Sequence, residues 1–538
     1  MACTVRLVVL ILFALPHQGF AQIPVTGLDS IRAEELRVKL FHFASDQFRG
    51  RGNGTPELDE AARYIAGIFE ENGLKPIAPE GYYQDFRVER LSLGEANTLE
   101  LEGGSSTTLK LARDFIPFSG SSDGEVVGPM IFAGYGIRTP ALDYDDLAAI
   151  DVTGHVVVVL DGHPGADDRN SPFNLRSGDI SGIRTKARNV EQAGGIGLIV
   201  VQGPLDRNAT SIGNLADSLK PGLSPRRSTI DLAHGLNSPG IPVVIVSRSA
   251  GPRVVPGLES MQRSINRRLV PQFSRLSAEA ILRVELRRDT YTAHNVIGWI
   301  EGSDSELREE VIVVGAHYDH DGEENGTIWY GADDDGSGTT ALMELAEAFS
   351  GEGQRPARSI LLAAWAGEEK GMLGSRHYVR NPVLPLENTV AMFQMDMIGR
   401  NEDHRANRGI GVPAERAFDN GNTLNLVGSV FSSDMRRIVS GANAEVGLEL
   451  RFRYDYRGDD LIKRSDSWSF LSGGIPSLLL FAGFHGDYHR PSDTADKINY
   501  PKLEKVVKLV YQSLMDLGNR SVRPLFANPS SQQRGPDR

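Results

Sequence analysis

The sequence is nearly free of cysteine, since Cys3 is the single cysteine among 538 residues. Because Cys3 lies in the apolar segment at the start of the chain, the rest of the sequence carries no thiol and forms no disulfide. A cysteine nucleophile and a cysteine-ligated zinc site are therefore excluded. The sequence also lacks, beyond its first segment, an apolar run of the ~20 residues that a membrane-spanning helix requires.

An excess of positive charge is absent as well, because the formal net charge is −13. This balance argues against nucleic acid or an anionic membrane as the main partner. The length of 538 residues predicts two or three domains. A hydrophobic fraction of 40% and a charged fraction of 24% are typical of a globular chain. The composition does not indicate an oligomeric state.

Residues 1–21 have the pattern of a secretory signal peptide. Arg6 supplies a short positive region, residues 7–15 supply an apolar stretch, and Gly19 and Ala21 supply the small residues of a cleavage site. We expect cleavage after Ala21, which predicts a secreted or periplasmic protein. A retained membrane anchor is the alternative interpretation of the same segment.

Changes in composition along the chain predict its domain organisation. Residues 56–72 place apolar residues at helical spacing before Gly73, within an N-terminal segment at 30–118. Residues 119–270 contain short β-rich runs set off by Gly and Pro, such as GHVVVVLDG and GGIGLIVVQG, and predict a separate β-rich domain. Residues 520–538 are polar and Pro-rich and are expected to be disordered.

Residues 271–519 alternate nearly continuous apolar runs with helical patterns. The runs EEVIVVGAH, ARSILLAAWAGEE, NTVAMFQMD and IPSLLLFAG are typical of strands that helices cover on both faces. Helical patterns at 339–350 and 501–517 alternate with them. We therefore predict an α/β sheet domain, against which most of segment 30–118 packs.

Histidine and acidic side chains follow these predicted strands. In an open α/β sheet, residues just past the carboxyl ends of the strands converge on one crevice. The candidates in this position are His317, Glu368, Glu369, Asp396 and His489. A sixth candidate, Asp334, lies in the acidic stretch GADDDGSG before the first of the helical patterns.

Acidic side chains in one crevice repel one another unless cations lie among them. Two Zn²⁺ ions bring four positive charges, which four carboxylates balance, and imidazoles bind zinc as neutral ligands. The four carboxylates are those of Asp334, Glu368, Glu369 and Asp396. The sequence therefore predicts two zinc ions per chain. Asp319, two residues after His317, is predicted to orient that imidazole through its carboxylate.

Each of these motifs taken alone has a simpler interpretation. Adjacent acids such as Glu368 and Glu369 usually lie on a solvated turn, and a lone loop histidine such as His489 is usually exposed. Residues 333–335 are also compatible with a turn that caps a helix N-terminus. Their joint occurrence, each at a strand end, favours a metal centre.

The motifs together resemble those of the co-catalytic zinc aminopeptidases of metallopeptidase clan MH. That group includes bacterial leucyl aminopeptidases and glutamate carboxypeptidase II. The matching motifs are HYD at 317, GADDDGSG at 331, AGEEKGMLGS at 366, QMDMIG at 394 and DYHRPSDTADKIN at 487. Residues 119–270 resemble a protease-associated (PA) domain inserted into the peptidase. The resemblance implies a zinc-peptidase-like mixed open α/β sheet with helices on both faces, plus this inserted β-rich domain.

The resemblance also implies a role for each matching residue. His317 and Asp396 would bind one zinc ion, Glu369 and His489 would bind the other, and Asp334 would bridge both. In relatives the peptide bond after the bridging aspartate is cis, which implies a cis bond after Asp334 here.

Two further residues receive catalytic roles from the resemblance. Glu368 would act as general base and then general acid, and Tyr488 would help to stabilise the oxyanion. One departure is Ser467, which stands where many relatives have histidine. That position is not a metal ligand, so the difference bears on the shape of the substrate pocket.

These roles imply a dinuclear zinc exopeptidase, an aminopeptidase acting on peptide substrates with a free N-terminus. A glutamate-carboxypeptidase-like hydrolase, an amine deformylase or deacylase, a glutaminyl cyclase and an inactive receptor-like binding protein remain open. The HxD motif at His317 argues against a cyclase with one zinc ion. The complete ligand set argues against an inactive receptor-like protein.

Overall fold

The computed structural model describes residues 27–527, except for several short stretches. Those stretches are 104–105, 167, 169–170, 174–179, 207–208, 234–237, 352–354, 404–415 and 456–460. The predicted signal segment and residues 528–538 of the predicted tail lie outside the described residues. Within the described residues, no helix has the length and apolar character that crossing a membrane requires.

The described residues of the first part of the chain, between 27 and 118, form two α-helices and five strands. In chain order these are α1 (Ala33–Phe43), α2 (Pro56–Glu71), β1 (Lys75–Pro76), β2 (Tyr83–Leu93), β3 (Thr98–Glu102), β4 (Thr107–Leu109) and β5 (Phe115–Pro117). The predicted helix at 56–72 is confirmed. It begins because Thr55 accepts the N–H of Leu58 and Pro56 occupies the first turn, and it stops before Gly73, which has a φ of 72°.

Those residues of 119–270 that the structure describes form short strands and four α-helices. They are β6 (Gly124–Ala133), β7 (Arg138–Thr139), β8 (Tyr144–Asp145), β9 (Val156–Leu160), α3 (Ile183–Gln192), β10 (Gly197–Val201), α4 (Ile212–Asp217), β11 (Thr229–Leu232), β12 (Val243–Val246), α5 (Gly251–Val254) and α6 (Leu258–Arg268).

The remaining residues alternate strands and helices. They are β13 (Phe273–Val284), β14 (Leu286–Ile300), β15 (Val311–His317), β16 (Gly322–Glu324), β17 (Thr327–Trp329), α7 (Gly338–Ala348), β18 (Ser359–Trp365), α8 (Leu373–Arg380), β19 (Thr389–Met395), β20 (Thr423–Val427), α9 (Ser433–Val446), β21 (Glu449–Arg451), α10 (Ser467–Ser472), β22 (Ser477–Phe481) and α11 (Tyr500–Gly518).

The larger of two main sheets has the order β11-β2-β14-β18-β15-β19-β22-β20-β21, with β1 paired to β14. Its centre, β18-β15-β19-β22, is parallel. On one side β14 runs antiparallel to β18, and β2 runs antiparallel to β14. Every residue of the four central strands is buried. Helices α1, α2, α7, α9 and α11 pack on one face, and α8 and α10 pack on the other. The predicted mixed open sheet with helices on both faces is confirmed.

The second main sheet has the order β4-β3-β13-β6-β9-β10-β12-β5. Residues of α3 bury against one face of its central strands and residues of α6 against the other. Two short pairs, β16-β17 and β7-β8, complete the strand pairing that the structure describes. The predicted β-rich domain is therefore built around a sheet of its own.

The predicted boundaries at 119 and 270 do not coincide with the boundaries of the two sheets. Strands β3, β4 and β5 precede residue 119 and β13 follows residue 270, yet all four lie in the second sheet. Conversely, β11 lies within 119–270 but pairs with β2 at the edge of the first sheet. The difference arises because alternation in a sequence identifies a strand without identifying the sheet that accepts its hydrogen bonds.

Candidate active site

Four parallel strands end at the same edge of the larger sheet, and the predicted site residues follow them. His317 is the last residue of β15, Asp396 follows β19 directly, and His489 lies in the loop after β22. Glu368 and Glu369 form the turn after β18. The expected convergence is therefore present in the structure, as the topology of an open parallel sheet requires.

The acidic loop before α7 reaches the same edge. Its first residue, Gly331, has a φ of 55°, and the peptide bond between Asp334 and Asp335 is cis, as expected from the resemblance. The buried guanidinium of Arg51 donates hydrogen bonds to the carbonyl oxygens of Tyr330 and Gly331, each at 2.8 Å. Arg51 thus fixes the start of the loop that carries the central aspartate.

The two carboxylate oxygens of Asp334 face different histidines. Oδ1 lies 3.1 Å from Nε2 of His317, and Oδ2 lies 3.2 Å from Nε2 of His489. Since each oxygen is directed to its own imidazole, the carboxylate occupies the position of a bridge between two ligand groups.

One ligand group consists of His317, Asp334 and Asp396, with Oδ1 of Asp396 at 3.9 Å from Nε2 of His317. The other contains Glu369 and His489, whose Oε2 and Nε2 atoms are 3.3 Å apart. The structure therefore brings all five predicted metal ligands together in two groups that share Asp334.

Two residues of the second group were not anticipated from the sequence. His320 is buried, and its Nδ1 lies 2.8 Å from Oε1 of Glu369. Asp321 places Oδ2 3.5 Å from Nδ1 of His489. Both belong to the run HYDHDG that begins at His317. The same reasoning that selected His317 from a strand end would have identified them.

Asp319 contacts His317 differently from the prediction. Nδ1 of His317 lies 3.0 Å from the main-chain oxygen of Asp319, whereas the nearer carboxylate oxygen is 3.8 Å away. The carboxylate instead accepts the main-chain N–H groups of Glu368 and Glu369 and the side-chain amide of Asn53. It therefore fixes the turn after β18. The main chain after β15 bends back, so that the carbonyl oxygen lies nearer to the ring than the carboxylate does.

The two neighbours of Asp334 are buried and support the loop. Oδ2 of Asp335 accepts the N–H of His317 at 3.1 Å, and Oδ1 accepts the N–H of Gly338 at 2.9 Å. Oδ1 of Asp333 accepts the N–H of Gly399 at 2.7 Å. These bonds connect the acidic loop to β15, to α7 and to the segment after β19, which explains why three consecutive acids occur here.

Glu368 lines a pocket together with Asp334 and Asp396. Its Oε2 atom is 3.9 Å from Nε2 of His317. Burial raises the pKa of Glu368 well above its ordinary value, and the carboxylates of Asp466 and Asp396 raise it further. A carboxyl group with a raised pKa in a pocket has the properties of a general base and acid.

Tyr488 lies on the wall of the same pocket. Its ring packs against those of Phe484 and His489, with centroids 5.1 Å and 4.2 Å away. Its hydroxyl oxygen accepts a hydrogen bond from Arg464 at 3.0 Å, which leaves the hydroxyl proton available to a substrate. Burial raises the pKa of Tyr488, so the hydroxyl keeps that proton.

The carboxylates of the two ligand groups differ in how far neighbouring imidazoles balance their negative charge. Burial acts to raise the pKa of Asp334, but the adjacent imidazoles of His317 and His489 outweigh it and hold this pKa well below the ordinary value. Burial raises the pKa of Asp396 to about 7, and the carboxylate of Asp334 adds to that effect. An additional cation at this position would stabilise the ionised form of Asp396.

The donor atoms fit zinc. Within the described residues, Nε2 of His317, Oδ2 of Asp334 and Oε1 of Glu369 are buried, and their short contacts do not have hydrogen-bond geometry. The candidate ligand atoms form three triads, each within 4.8 Å, which are His317, Asp334 and Asp396; His320, Asp334 and Glu369; and Asp321, Glu369 and His489. Imidazole nitrogen and carboxylate oxygen are the zinc ligands available to a chain without a usable thiol. Buried polar atoms left without hydrogen bonds are costly, and metal coordination would satisfy them.

Comparisons with known proteins agree with this geometry. Residues 295–514 match the sequence profile described as Peptidase family M28, and residues 123–254 match that of the PA domain. The second match lies inside the segment that was predicted to form this domain.

Individual relatives match over part of their length. The chain is 28% identical to the leupeptin-inactivating enzyme 1 of Streptomyces exfoliatus, over 38% of this chain and 39% of the relative. It is 24% identical to a glutamate carboxypeptidase 2 homolog of Caenorhabditis elegans, over 69% of this chain and 52% of the relative. The matches thus span about half or less of the length of these two relatives.

A solved aminopeptidase from Aneurinibacillus sp. strain AM-1 has a similar fold. The superposition has a TM-score of 0.51 at 19% identity and covers 93% of this chain and 96% of the other. The likeness extends over both sheets. These matches, together with the ligands at the strand ends, identify residues 295–514 as a domain of peptidase family M28 and residues 123–254 as a PA domain.

Proposed function

We propose that this protein is an aminopeptidase that binds two zinc ions. The observation that carries the proposal is the position of Asp334, whose two carboxylate oxygens face His317 and His489 at 3.1 Å and 3.2 Å. Because the two oxygens face different histidines, each would be available to an ion of its own, one beside His317 and one beside His489. His317 and Asp396 would hold one ion, and Glu369 and His489 would hold the other.

Two bound zinc ions would lower the pKa of an attacking water and polarise the scissile carbonyl group. Glu368 accepts the proton of that water and later delivers it to the nitrogen of the leaving amine. Tyr488 donates its hydroxyl proton in a hydrogen bond to the oxygen of the carbonyl group as negative charge develops there.

The pocket supports selection for an N-terminal residue with an apolar side chain. Its wall contains apolar side chains, which are those of Met397, Leu461, Leu479, Phe481 and Phe484. The acidic side chains that line the same pocket would attract the protonated α-amine of a peptide with a free N-terminus. We therefore propose leucine-like residues at the cleaved position.

Hydrolysis of leucine p-nitroanilide, with and without an N-acetyl group, tests this proposal. We expect hydrolysis of the free amine only, loss of activity with a strong chelator and recovery with Zn²⁺. Release of a C-terminal glutamate from N-blocked dipeptides would instead identify a carboxypeptidase. Cyclisation of N-terminal glutamine would identify a cyclase, and no turnover of any of these compounds would contradict an aminopeptidase.

Export of the protein is a further part of this proposal. The pattern of a signal peptide in residues 1–21 supports it. Fractionation of cells that produce the full chain, with sequencing of the N-terminus of the exported form, tests it. A cytoplasmic chain that retains residues 1–21 would contradict export.

A further inference from the structure

A segment of the PA domain leaves its own sheet and lies against the peptidase domain. Strand β11 pairs with β2, with Thr229 opposite Leu91 and Leu232 opposite Val88. The residues just before β11 contact the β16-β17 hairpin and Asp321 of the peptidase domain. Oγ of Ser224 donates a hydrogen bond to Glu324 in the β16-β17 hairpin at 3.1 Å.

Arg226 is held in this segment from several sides. Its guanidinium lies over the ring of Trp329, 4.5 Å from the centroid, and its Nη1 is 3.6 Å from a carboxylate oxygen of Glu324. Its main-chain oxygen accepts a hydrogen bond from Nζ of Lys370 at 2.9 Å, next to the turn that carries Glu369. These contacts leave little freedom for the guanidinium group.

The guanidinium reaches the second metal group through one carboxylate. Nε of Arg226 donates to Oδ2 of Asp321 at 3.3 Å, and the same oxygen lies 3.5 Å from Nδ1 of His489. The other nitrogen of that ring, Nε2, faces Asp334 and Glu369. A carboxylate at one imidazole nitrogen fixes the tautomer and the orientation of the ring, and thereby the ability of the other nitrogen to bind metal.

We propose that Arg226 is a positioning residue for zinc binding at Glu369 and His489, so that the PA domain completes the active site of the peptidase domain. The proposal rests on the proposed function, because it assumes that two ions bind. Arg226 acts by holding Asp321 against His489. Asp321 is 6% exposed and lies among other acids, so that without Arg226 its carboxylate would turn toward solvent and release the imidazole.

Arg227 provides a matched control. It is the adjacent arginine of the same segment, and it contacts Glu324 at 3.8 Å with a side chain that is 49% exposed. Arg226→Gln and Arg227→Gln therefore remove the same charge from the same loop. Arg226→Lys, a third variant, keeps the charge but shortens the reach to Asp321.

The experiment titrates Zn²⁺ into the chelator-treated full chain and measures the two dissociation constants by calorimetry. We expect Arg226→Gln to weaken one of the two sites by about 10–100-fold and to leave the other as in the wild type. Arg227→Gln should retain both affinities, and Arg226→Lys should be intermediate. Asp321→Asn should weaken the same site, and the double variant with Arg226→Gln should show no additional loss.

Wild-type affinity at both sites of Arg226→Gln would overturn the proposal. Equal weakening of both sites, with a lower melting temperature, would also overturn it, because a general loss of folding would then explain the result. If Arg226→Gln does not fold, the test falls to Asp321→Asn. Two unchanged Zn²⁺ affinities in that variant would contradict the proposal. Binding of fewer than two ions by the wild type would instead contradict the proposed function.

Discussion

Oδ1 of Asp319 accepts a hydrogen bond from the main-chain N–H of Glu368 at 3.0 Å. Oδ2 accepts the N–H of Glu369 at 3.3 Å and the amide of Asn53 at 2.7 Å. One buried carboxylate thus positions both the proposed general base and a proposed zinc ligand. Its contribution to activity comes from the position of the turn after β18, since it is not a ligand itself.

Asp319→Asn is expected to lower kcat/KM about 10–100-fold, the range found when partners of metal-site residues are removed. An asparagine side chain must turn its NH₂ group toward one of the three donors, which breaks a hydrogen bond and moves the turn. The control is Asp304→Asn, because Asp304 also accepts two main-chain N–H groups but in an exposed loop. Unchanged kinetics in Asp319→Asn would contradict the role of this carboxylate.

Glu368 and Glu369 are adjacent but should respond differently to the same substitution. Glu368→Gln should lower kcat by about 10²–10⁴-fold with two zinc ions retained, because it removes proton transfer. Glu369→Gln should reduce zinc content toward one ion per chain, because it removes a ligand. Elemental analysis of both purified variants, together with kcat, distinguishes the roles. The reverse pattern would show that the roles are exchanged.

Tyr488→Phe is expected to lower kcat about 10²-fold with little change in KM, because the lost hydrogen bond forms in the transition state. The ring contacts with Phe484 and His489 remain, so the melting temperature should stay close to that of the wild type. Tyr330→Phe is the control, since its hydroxyl donates to Asp46 on the surface. An unchanged kcat in Tyr488→Phe would exclude the hydroxyl from the reaction.

The metal-free protein should become less stable as the pH rises from 5 to 8. Burial raises the pKa of Asp396 and of Asp466 to about 7, above the ~3.9 of an unfolded aspartate. Between these values the folded chain binds more protons than the unfolded chain. The free energy of unfolding therefore falls as the pH rises through this window and is lowest above pH 7.

Zinc should reverse this trend, because ligation requires ionised carboxylates and neutral imidazoles. The increase in melting temperature on addition of Zn²⁺ should thus be larger at pH 8 than at pH 5. Calorimetric scans of the chelator-treated chain at both pH values, with and without Zn²⁺, measure this increase in melting temperature. A metal-free chain that is more stable at pH 8 than at pH 5 would contradict the burial of these ionisable groups.

The sequence was most informative where strands were covered on both faces. Continuous apolar runs identified β15, β18, β19 and β22, and the topology of a parallel sheet then required the residues after them to meet. The prediction of the five ligand positions needed only this rule and the resemblance.

Contacts between segments far apart in the chain could not be predicted in the same way. The approach of Arg226 to Asp321 depends on where β11 pairs, and a four-residue strand carries too little pattern to specify its partner. The position of Asp319 depends on how the chain turns after His317. Ser467 is buried, with Oγ 3.9 Å from the sulfur of Met392, a contact between α10 and β19 that no local pattern indicates.

The register between β2 and β14 has a consequence for the way the two domains are joined. Leu93 and Leu286 are direct partners in the larger sheet, so the chain leaves that sheet and returns to it at neighbouring positions. Between them, Gly94 and Asn97 exchange hydrogen bonds with Glu285. A short turn from Leu93 to Leu286 would therefore convert β2 and β14 into an ordinary hairpin and remove the second sheet with the larger sheet almost intact. Such a minimal peptidase would lose β11 from the edge of its sheet. It would also lose Arg226, the PA-domain residue that contacts Asp321 beside the proposed metal centre.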